Sequence, residues 1–412
     1  MTPAIEPLAR SARLSTFAPL RHRNFRLLWT GLVVSNAGGW MQFTALGYLM
    51  DLLTLSPIFL GLLGLAQAVP RLLFAFLGGV VADRADRRAI LLLTNLVSMA
   101  SALLLALLTY LGVVQVWHVL AIAAFNSLVH SFDMPARLSM LPGLVAEHEV
   151  LQAISLNAMA LNGSSIFGPA IAGVVISLIG TSAAFFLNAL SYLGVLAALR
   201  AMRLPGVTVE RRVSFGQDVR EGLAILARHR VVLALLGIVA AVSFFGRPYV
   251  RLMPALAREV LHVGPEGLGI LQAAPGAGTI VAVFLTGWSA GRVRPGSLLL
   301  SAALAMGIMV TLFGASRAFP YSVLLLVLVG VSQSIAMATA NTLVQTTVPP
   351  ATRGRAMGLF GTVAFGMTTL GTLPIGALAE VIGLSWAVAL GGVVVIAVIL
   401  AAGIALPALR RL

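Results

Sequence analysis

The chain has 412 residues, of which 59% are hydrophobic and only 10% are charged. Soluble domains carry about 25% charged residues, so this composition excludes a soluble enzyme and a disordered chain. It also excludes a nucleic-acid-binding protein, despite a formal net charge of +14. Because the chain has no cysteine, disulfides, thiolate nucleophiles and cysteine-ligated metals are excluded. The six histidines lack metal-ligand spacing, so we expect neither a metal nor a cofactor.

Long apolar segments follow one another from residue 26 onward. Each approaches or exceeds the ~20 residues that a helix needs to cross a bilayer, and none alternates as the strands of a β-barrel do. We therefore predict an all-α integral membrane protein with twelve transmembrane helices. They are predicted at 26–50, 58–81, 89–111, 118–138, 151–178, 183–200, 231–253, 267–290, 298–315, 321–346, 357–380 and 386–407.

The longest polar segment divides these helices into two groups of six. We predict a segment at 1–25, a first six-helix half at 26–200, a linker at 201–230, a second half at 231–407 and a tail at 408–412. The linker is rich in arginine and is expected to lie on an anionic leaflet. Arginines concentrate in loops on the side of the two chain ends, which predicts that both termini are cytoplasmic. The expected location is the plasma membrane, which in a bacterium is the inner membrane.

Three features of the first half recur in the second at nearly constant spacing, which indicates a duplicated six-helix unit. The recurring features are the glycine-to-arginine segments at 79–84 and 287–292 (208 residues apart), Pro169 and Pro374 (205 apart), and Pro142 and Pro349 (207 apart). Parallel repeats of this kind build transporters whose halves rock against each other. The spacing predicts two pseudo-symmetric halves around an axis along the membrane normal.

Two motifs resemble signatures of the major facilitator superfamily. Gly79-x-x-x-Asp83-Arg84-x-x-Arg87-Arg88 is similar to its loop signature, with an aspartate where the final glycine usually stands. Gly168-Pro169-x-x-Ala172-Gly173 is similar to its antiporter signature, with alanine for one glycine. The segments at 20–26, 132–137 and 186–192 resemble a narrower branch, the enterobactin-exporter-like proteins or transmembrane secretion effectors.

The resemblance implies the major facilitator fold and secondary active transport by alternating access. It implies export of small amphipathic molecules of a siderophore, macrolide or drug type, with proton antiport as the expected coupling. An uncoupled facilitator or a lipid flippase of the same fold is the alternative. Paired acids, a histidine-ligated metal and a Walker loop are absent, so we do not expect an enzyme. The expected partners are a small-molecule substrate, the bilayer and protons, without nucleic acid, and the expected state is a monomer.

Polar residues within the predicted helices are candidate ligands for the cargo. Arg71 lies near the middle of the second predicted helix, one turn after Gln67, with no acid at matching depth. It is either held by Asn126, Gln67 or backbone carbonyls, or placed in a central cavity to attract an anionic or electron-rich group. The other cavity candidates are Asn36, Trp40, Asn126, His130, Gln333 and Asn341. Interhelical hydrogen bonding, worth about 0.6 kcal/mol a pair, is the alternative role for these groups.

Charged residues of the fourth predicted helix form one stripe with Asn126 and His130. We predict a structural ion-pair cluster at Asp133 and Arg137, whereas His130 could titrate near neutral pH. The candidate proton carriers are His130, Asp133 and Asp51. Asp51 equally fits a capping or interfacial acid at the outer end of the first helix.

Two basic residues of the seventh predicted helix, Arg247 and Arg251, are spaced four apart. This spacing places them on one face of the helix. They fit either the outer mouth of the cavity or an interfacial position, from which their side chains would extend toward water.

The loop after the second predicted helix is interpreted as a conformational latch that holds the outward-open state. The latch residues are Gly79, Asp83, Arg84, Arg87 and Arg88, with Asp133 and Arg137 of the fourth helix. Asp83 is expected to meet the start of the eleventh helix near Met357 and Gly358, because free N–H groups there attract a carboxylate. Arg87 is expected to pair with Asp133. A static salt-bridge cluster is the alternative.

Small residues of the fifth predicted helix are expected to form part of the seam between the halves. Pro169 should bend this helix, and the glycines should allow close helix approach. The residues concerned are Gly163, Gly168, Pro169 and Gly173, with Gly276 and Gly278 of the eighth helix as expected partners. A simple packing kink is the alternative.

Overall fold

The computed structural model describes residues 17–202, 230–289, 292–349 and 352–405, so most of the predicted N-terminal segment, linker and tail lie outside it. In these ranges the chain forms thirteen α-helices and no strand. They are α1 (Arg23–Thr54), α2 (Pro57–Arg84), α3 (Arg87–Tyr110), α4 (Val116–Met140), α5 (Val150–Leu178), α6 (Thr181–Ala201), α7 (Arg230–Gly246), α8 (Tyr249–Ala255), α9 (Pro265–Ser289), α10 (Pro295–Ala315), α11 (Phe319–Thr347), α12 (Arg353–Ile382) and α13 (Leu384–Ala405).

Eleven helical stretches of the described residues are long and apolar enough to cross a membrane. Helix α1 is not among them, although its 32 residues exceed the required length, because polar side chains interrupt its apolar sequence. The predicted all-helical membrane fold is confirmed.

Helix boundaries follow local sequence signals. Pro57 and Pro295 begin α2 and α10, where the missing N–H costs nothing. Asp86 caps α3 by accepting a hydrogen bond of 2.9 Å from the Arg88 amide. Gly180 (φ 101°) and Gly383 (φ 87°) precede α6 and α13 in a backbone region that favours glycine.

The helices form two bundles with matching internal contacts. In the first half α1 packs on α5 and α6, α2 on α4, and α3 on α4 and α6. In the second half α9 packs on α11, and α13 packs on α10 and α7. The halves meet mainly through α2 with α12 and α5 with α9. These two seams are equivalent under the repeat, so the halves are related by a pseudo-two-fold axis between them.

The seventh predicted helix, expected to be continuous over 231–253, is broken. Helix α7 ends at Gly246, α8 begins at Tyr249, and a π-helical turn (Leu256–Val260) continues the span. Pro248 has no N–H and therefore cannot bond the carbonyl of Phe244 one turn earlier. Gly371 of α12 lies against that carbonyl, where an added Cβ would stand 2.0 Å from the oxygen. The break therefore coincides with a close contact between two helices of the second half.

Candidate transport pathway

The two faces of the bundle differ in how closely the halves approach. We call the face with the starts of α1 and α3 the basal face, and the face with residues 55–56 between α1 and α2 the distal face. Successive helices run in opposite directions. Each membrane-spanning helix therefore has one end at the basal face and the other at the distal face, and both halves contribute to each face. The contacts across the seams show which face is closed.

The halves touch at backbone distance on the distal side. Between α2 and α12, a Cβ added to Gly61 would stand 2.9 Å from the Leu373 Cα. Between α5 and α9, a Cβ added to Gly173 would stand 2.6 Å from the Pro265 carbonyl oxygen. Such separations leave no room for a side chain, so both seams are sealed there.

On the basal side the same helices stand apart. Cβ atoms added to Gly79 of α2, Gly287 of α9 and Gly358 of α12 would meet nothing within 4 Å among the described residues. Helix α4 exposes Met134 and Leu138 in its basal half, on a different side from Phe125 in its distal half. We interpret the basal stripe as the wall of a cleft between the halves that opens toward the basal face.

An ion pair across the halves lies on the closed side. Asp51 of α1 is completely buried (0% exposed) and accepts two hydrogen bonds from Arg258, Nε to Oδ2 at 2.6 Å and Nη2 to Oδ1 at 3.0 Å. Arg258 also contacts Glu259 of its own half at 2.8 Å. The interpretation of Asp51 as a capping or interfacial acid is wrong, because its carboxylate is enclosed between the halves.

Arg258 was not singled out from the sequence, although a signal existed. It follows Asp51 by 207 residues, which is the spacing of the internal repeat. Gly47 and Pro254 have the same spacing and also touch, since a Cβ on Gly47 would lie 3.0 Å from the Pro254 Cγ. Equivalent positions of α1 and the seventh span therefore meet at the pseudo-two-fold axis.

Two further polar contacts join the halves at the distal ends of the seams. The Ser56 hydroxyl donates to the Glu380 carboxylate, which also accepts from the Ile58 amide at 3.3 Å. The Ser177 hydroxyl donates to Glu266 at 2.8 Å. The distal closure thus combines glycine packing with carboxylates that reach across the interface.

Closer to the basal face than these contacts, two more hydrogen bonds join the halves, and each half supplies the donor of one of them. Arg251 donates to the side-chain oxygen of Gln67 in α2, and Thr44 of α1 donates to the side-chain oxygen of Gln272 in α9. The Arg251 guanidinium also lies 4.3 Å from the ring centroid of Phe43, a cation–π contact. Arg251 therefore lies between the halves and not at the membrane interface, and its position at an outer mouth of the cavity stays a prediction.

Arg71 lies one turn beyond Gln67 on the exposed part of α2. Its guanidinium donates to the Met134 sulfur at 3.6 Å, and Met134 lies one turn after His130 on α4. Among the described residues no carboxylate forms an ion pair with Arg71. Gln67, which was expected as a possible holder of Arg71, has its side-chain oxygen on Arg251 instead.

The remaining cavity candidates differ in their surroundings. Trp40 packs edge-on against Phe43 with ring centroids 5.5 Å apart. Asn36 Nδ2 and Asn126 Oδ1 are buried with no hydrogen-bond partner within the described ranges. Gln333 is half-buried on α11. Asn341 accepts a 2.6 Å hydrogen bond from Gln345 of the same helix, which occupies its side-chain oxygen.

Asp133 belongs to a polar cluster inside the first half. It is 3% exposed, pairs with Arg137 and accepts from Thr94 and Asn95, each at 3.1 Å. The expected pair between Arg87 and Asp133 does not form. Arg87 donates instead to the Ser139 carbonyl at 3.1 Å, because the carboxylate is already occupied by its three nearer partners.

Other latch residues lie along the open basal face. Arg88 donates to the Arg200 carbonyl at 3.1 Å, and Arg84 is exposed at the end of α2. The side chain of Asp83 lies outside the described part of the structure. The predicted contact of the latch with α12 therefore stays a prediction.

The expected close approach of α5 and α9 forms, but the glycines of α5 do not all face α9. Gly168 faces α1, where an added Cβ would lie 2.5 Å from the Trp40 Cβ. Gly173 meets α9 at Gly269, and Gly276 meets Ile166. Residues five apart on a helix point about 140° apart, so Gly168 and Gly173 cannot both face α9.

Of the two partners expected in the eighth predicted helix, Gly276 contacts α5 and Gly278 does not. Gly278 packs within its own half, because an added Cβ would stand 2.0 Å from the Val327 carbonyl oxygen of α11. Among the residues that the structure describes, none lies within 4 Å of a Cβ added to Gly163.

The sequence of the chain is similar to those of known membrane transport proteins. A family model described as transmembrane secretion effector matches residues 14–411. The chain is 23% identical over 381 residues to macrolide efflux protein A of Streptococcus pyogenes, covering 91% of this chain and 94% of that protein. It is 25% identical over 295 residues to the enterobactin exporter of Citrobacter koseri, covering 69% and 68% respectively.

Solved structures share the fold at low sequence identity. A bacterial homologue of the human lysosomal transporter Spinster, in an inward-facing and unoccupied conformation, superimposes with a TM-score of 0.73 at 15% identity, covering 94% of this chain and 96% of that one. A bacterial homologue of the iron transporter ferroportin, inward-facing, gives a TM-score of 0.71 at 12% identity, covering 94% and 98%.

Proposed function

We propose that this chain, which belongs to the transmembrane secretion effector family of membrane transporters, exports small amphipathic molecules by alternating access. The observation that carries the proposal is the one-sided closure of the two equivalent seams. Gly61 and Gly173 touch the opposite half on the distal side, whereas Gly79 and Gly358 face open space on the basal side. In a two-half bundle that is closed on one face and open on the other, a rocking motion of the halves opens the closed face and closes the open one.

The proposed direction of transport rests on an assignment of the two faces and on the relatives of the chain. The arginine-rich ends of α2 and α3 lie on the basal face, and the excess of arginine in loops on this side supports a cytoplasmic assignment for it. The cleft then receives cargo from the cytoplasm and releases it at the distal face. The names of the macrolide and enterobactin relatives support export over import.

The cleft is suited to a bulky cargo with both apolar and polar parts. Trp40, Phe43 and Met134 offer aromatic and thioether surface, which adapts to irregular apolar groups. Asn36 and Arg71 offer polar and charged groups beside it. We assign Arg71 the role of a counter-charge or direct ligand for the cargo, with siderophores, macrolides and drug-like molecules as the classes to test.

We assign the energy source to protons, with Asp51 as the first candidate carrier. Opening of the distal face separates Asp51 from Arg258, so the ion pair stabilises the distal-closed state alone. Protonation of Asp51 removes its charge and favours the distal-open state, so proton binding and cargo release become linked. Asp133 has its partners within one half, so it need not separate from them. His130 lies on the exposed stripe of α4 and is the second candidate.

The export proposal is tested with purified protein in liposomes under an imposed proton gradient. We expect accumulation of a radiolabelled macrolide or of enterobactin, and its release when a protonophore collapses the gradient. Accumulation of neither cargo would contradict the proposed substrate classes. A cargo flux of the same size with and without the proton gradient would favour the uncoupled facilitator or flippase. Growth of a deletion strain on a panel of siderophores, macrolides and dyes then narrows the cargo.

A further inference from the structure

Three arginines lie in the central part of the bundle without a carboxylate partner among the described residues. Arg251 contacts a neutral amide and an aromatic ring, and Arg71 contacts a thioether. The Nε of Arg247 is buried with no hydrogen-bond partner. Charges within a membrane are rare and mark functional sites when they face the bundle interior.

The described acids that could neutralise these arginines are engaged elsewhere. Carboxylates within the membrane-spanning helices accept from Arg258, Arg137, Ser56 and Ser177. Arg258 differs from these three arginines, because two carboxylates hold its guanidinium. The central layer therefore carries an excess of positive charge that the described part of the chain leaves uncompensated.

The positions of these cations suit a ligand that enters from the basal cleft. Arg71 lies on the exposed part of α2. Gln67 is one turn closer to the distal face, where the cleft is closed, and its side chain accepts a hydrogen bond from Arg251. The oxygen that accepts from Arg251 is the neutral amide oxygen of Gln67. An anionic oxygen of a ligand in that position would accept a stronger, charge-assisted hydrogen bond. Arg247 lies in the break before α8 and Arg251 lies in the first turn of α8, and in some transporters such broken helices form the substrate site.

We infer that Arg71 and Arg251 form an anion-binding site, and that its ligand carries a carboxylate, sulfonate or phenolate group next to an aromatic or apolar body. Phe43 and Trp40 supply the surface for that body, with ring centroids 5.5 Å apart. The identity of this ligand as the cargo rests on the proposed export function, whereas the site itself does not. Among the substrate classes considered, the inference favours acidic molecules over amines.

The test uses two probes that share one ring system and differ in charge, dansylate (a sulfonate) and dansylamide (neutral). Binding to the purified protein in nanodiscs is followed by energy transfer from tryptophan to the dansyl group. We expect dansylate to bind at least about tenfold more tightly than dansylamide, since a hydrogen bond to a charged group is worth that factor or more. Arg71→Gln and Arg251→Gln should each remove most of this preference without weakening dansylamide.

Two further variants separate charge from folding. Arg251→Lys keeps the charge and should retain most of the preference. Arg292→Gln removes an arginine of the basal face, which stacks on Trp288 at 5.3 Å, and should change neither affinity. Equal affinity for the two probes, no binding of dansylate, or equal losses in Arg292→Gln and Arg251→Gln would each overturn the inference.

The two proposals fail in different ways. Arginine-dependent binding of dansylate without gradient-driven movement of any cargo would contradict export and leave the anion site intact. Export of a neutral macrolide by a protein with no preference for dansylate would contradict the anion site and leave export intact.

Discussion

Asp51 and Arg258 form a two-pronged ion pair between the halves, with nitrogen–oxygen distances of 2.6 and 3.0 Å. The two residues are 207 positions apart, so they occupy equivalent places in the repeat and meet near its axis. The pair lies on the side where α2 approaches α12 and α5 approaches α9. Motion that opens this side separates the pair, so the pair distinguishes the distal-closed state from the distal-open one.

Asp51→Asn is expected to shift the protein toward the distal-open state, because the amide keeps the shape but loses the attraction to Arg258. The chain has no cysteine, so spin labels can be placed directly at Ile179→Cys and Arg317→Cys on opposite halves. The label-to-label distances should lengthen in Asp51→Asn. Glu259→Gln is the matched control, since Glu259 contacts Arg258 from the same half, and it should leave the distances unchanged. Identical distances in all three proteins would refute the role of the pair.

Gly173→Ala is expected to destabilise the distal-closed state alone. An alanine Cβ there would stand 2.6 Å from the Pro265 carbonyl oxygen across the seam, and relief requires the halves to move apart. The same substitution at Gly163 of the same helix meets open space and should be neutral or slightly stabilising, by up to ~1 kcal/mol. The measurement is the same distal distance together with thermal unfolding in detergent. Equal effects of the two substitutions would show that the Gly173 contact does not control the seam.

Asp83→Asn is expected to raise the basal-open population and slow turnover without loss of expression. If Asp83 meets the N-terminus of α12 when the basal face closes, that contact is worth about 1–2 kcal/mol. Its loss would change the two-state ratio about 5- to 30-fold. Spin labels at Ala85→Cys and Gly354→Cys report on this face. Asp86→Asn, which alters only the cap of α3, is the control and should leave the distances as in the wild type. No difference between wild type and Asp83→Asn would leave the static salt-bridge cluster as the better interpretation.

Arg71→Ala is expected to abolish export while folded protein remains in the membrane. Among the described residues its guanidinium has only a weak sulfur acceptor, at 3.6 Å, so little structural stabilisation is lost with it. Transport of labelled cargo and size-exclusion behaviour of the purified variant are measured together. Arg292→Ala, which removes a basal arginine, should transport normally. Wild-type transport by Arg71→Ala would end the assignment of this residue to the cargo site.

The sequence alone predicts the helices well because long apolar segments have few other stable conformations in a bilayer. The fold class and the approximate spans follow from that constraint, and the resemblance of the two signature motifs adds the family. The break before Tyr249 was missed, although Gly246 and Pro248 mark it, because the apolar character continues through it and Pro-containing helices are common in membranes.

The site was predicted less completely, for a physical reason. Contacts between the halves join residues about 200 positions apart, such as Thr44 with Gln272 and Arg251 with Gln67, and no local pattern specifies which side chains meet. Neither Arg87 nor Gly168 contacts the partner expected for it, because each position allowed several neighbours within reach. The repeat spacing is the one long-range signal that could have identified Arg258 as the partner of Asp51.

Alternating access is tested most directly by measuring both faces of the wild-type protein in the same lipid membrane. One sample carries the distal label pair (positions 179 and 317), and the other carries the basal pair (positions 85 and 354). We predict that acidification, as the proposed proton coupling requires, lengthens the distal distance and shortens the basal one in the same proportion of molecules. Distal opening without basal closure would contradict the account. Label-to-label distances that stay the same on both faces when pH is changed and when cargo is added would also contradict it.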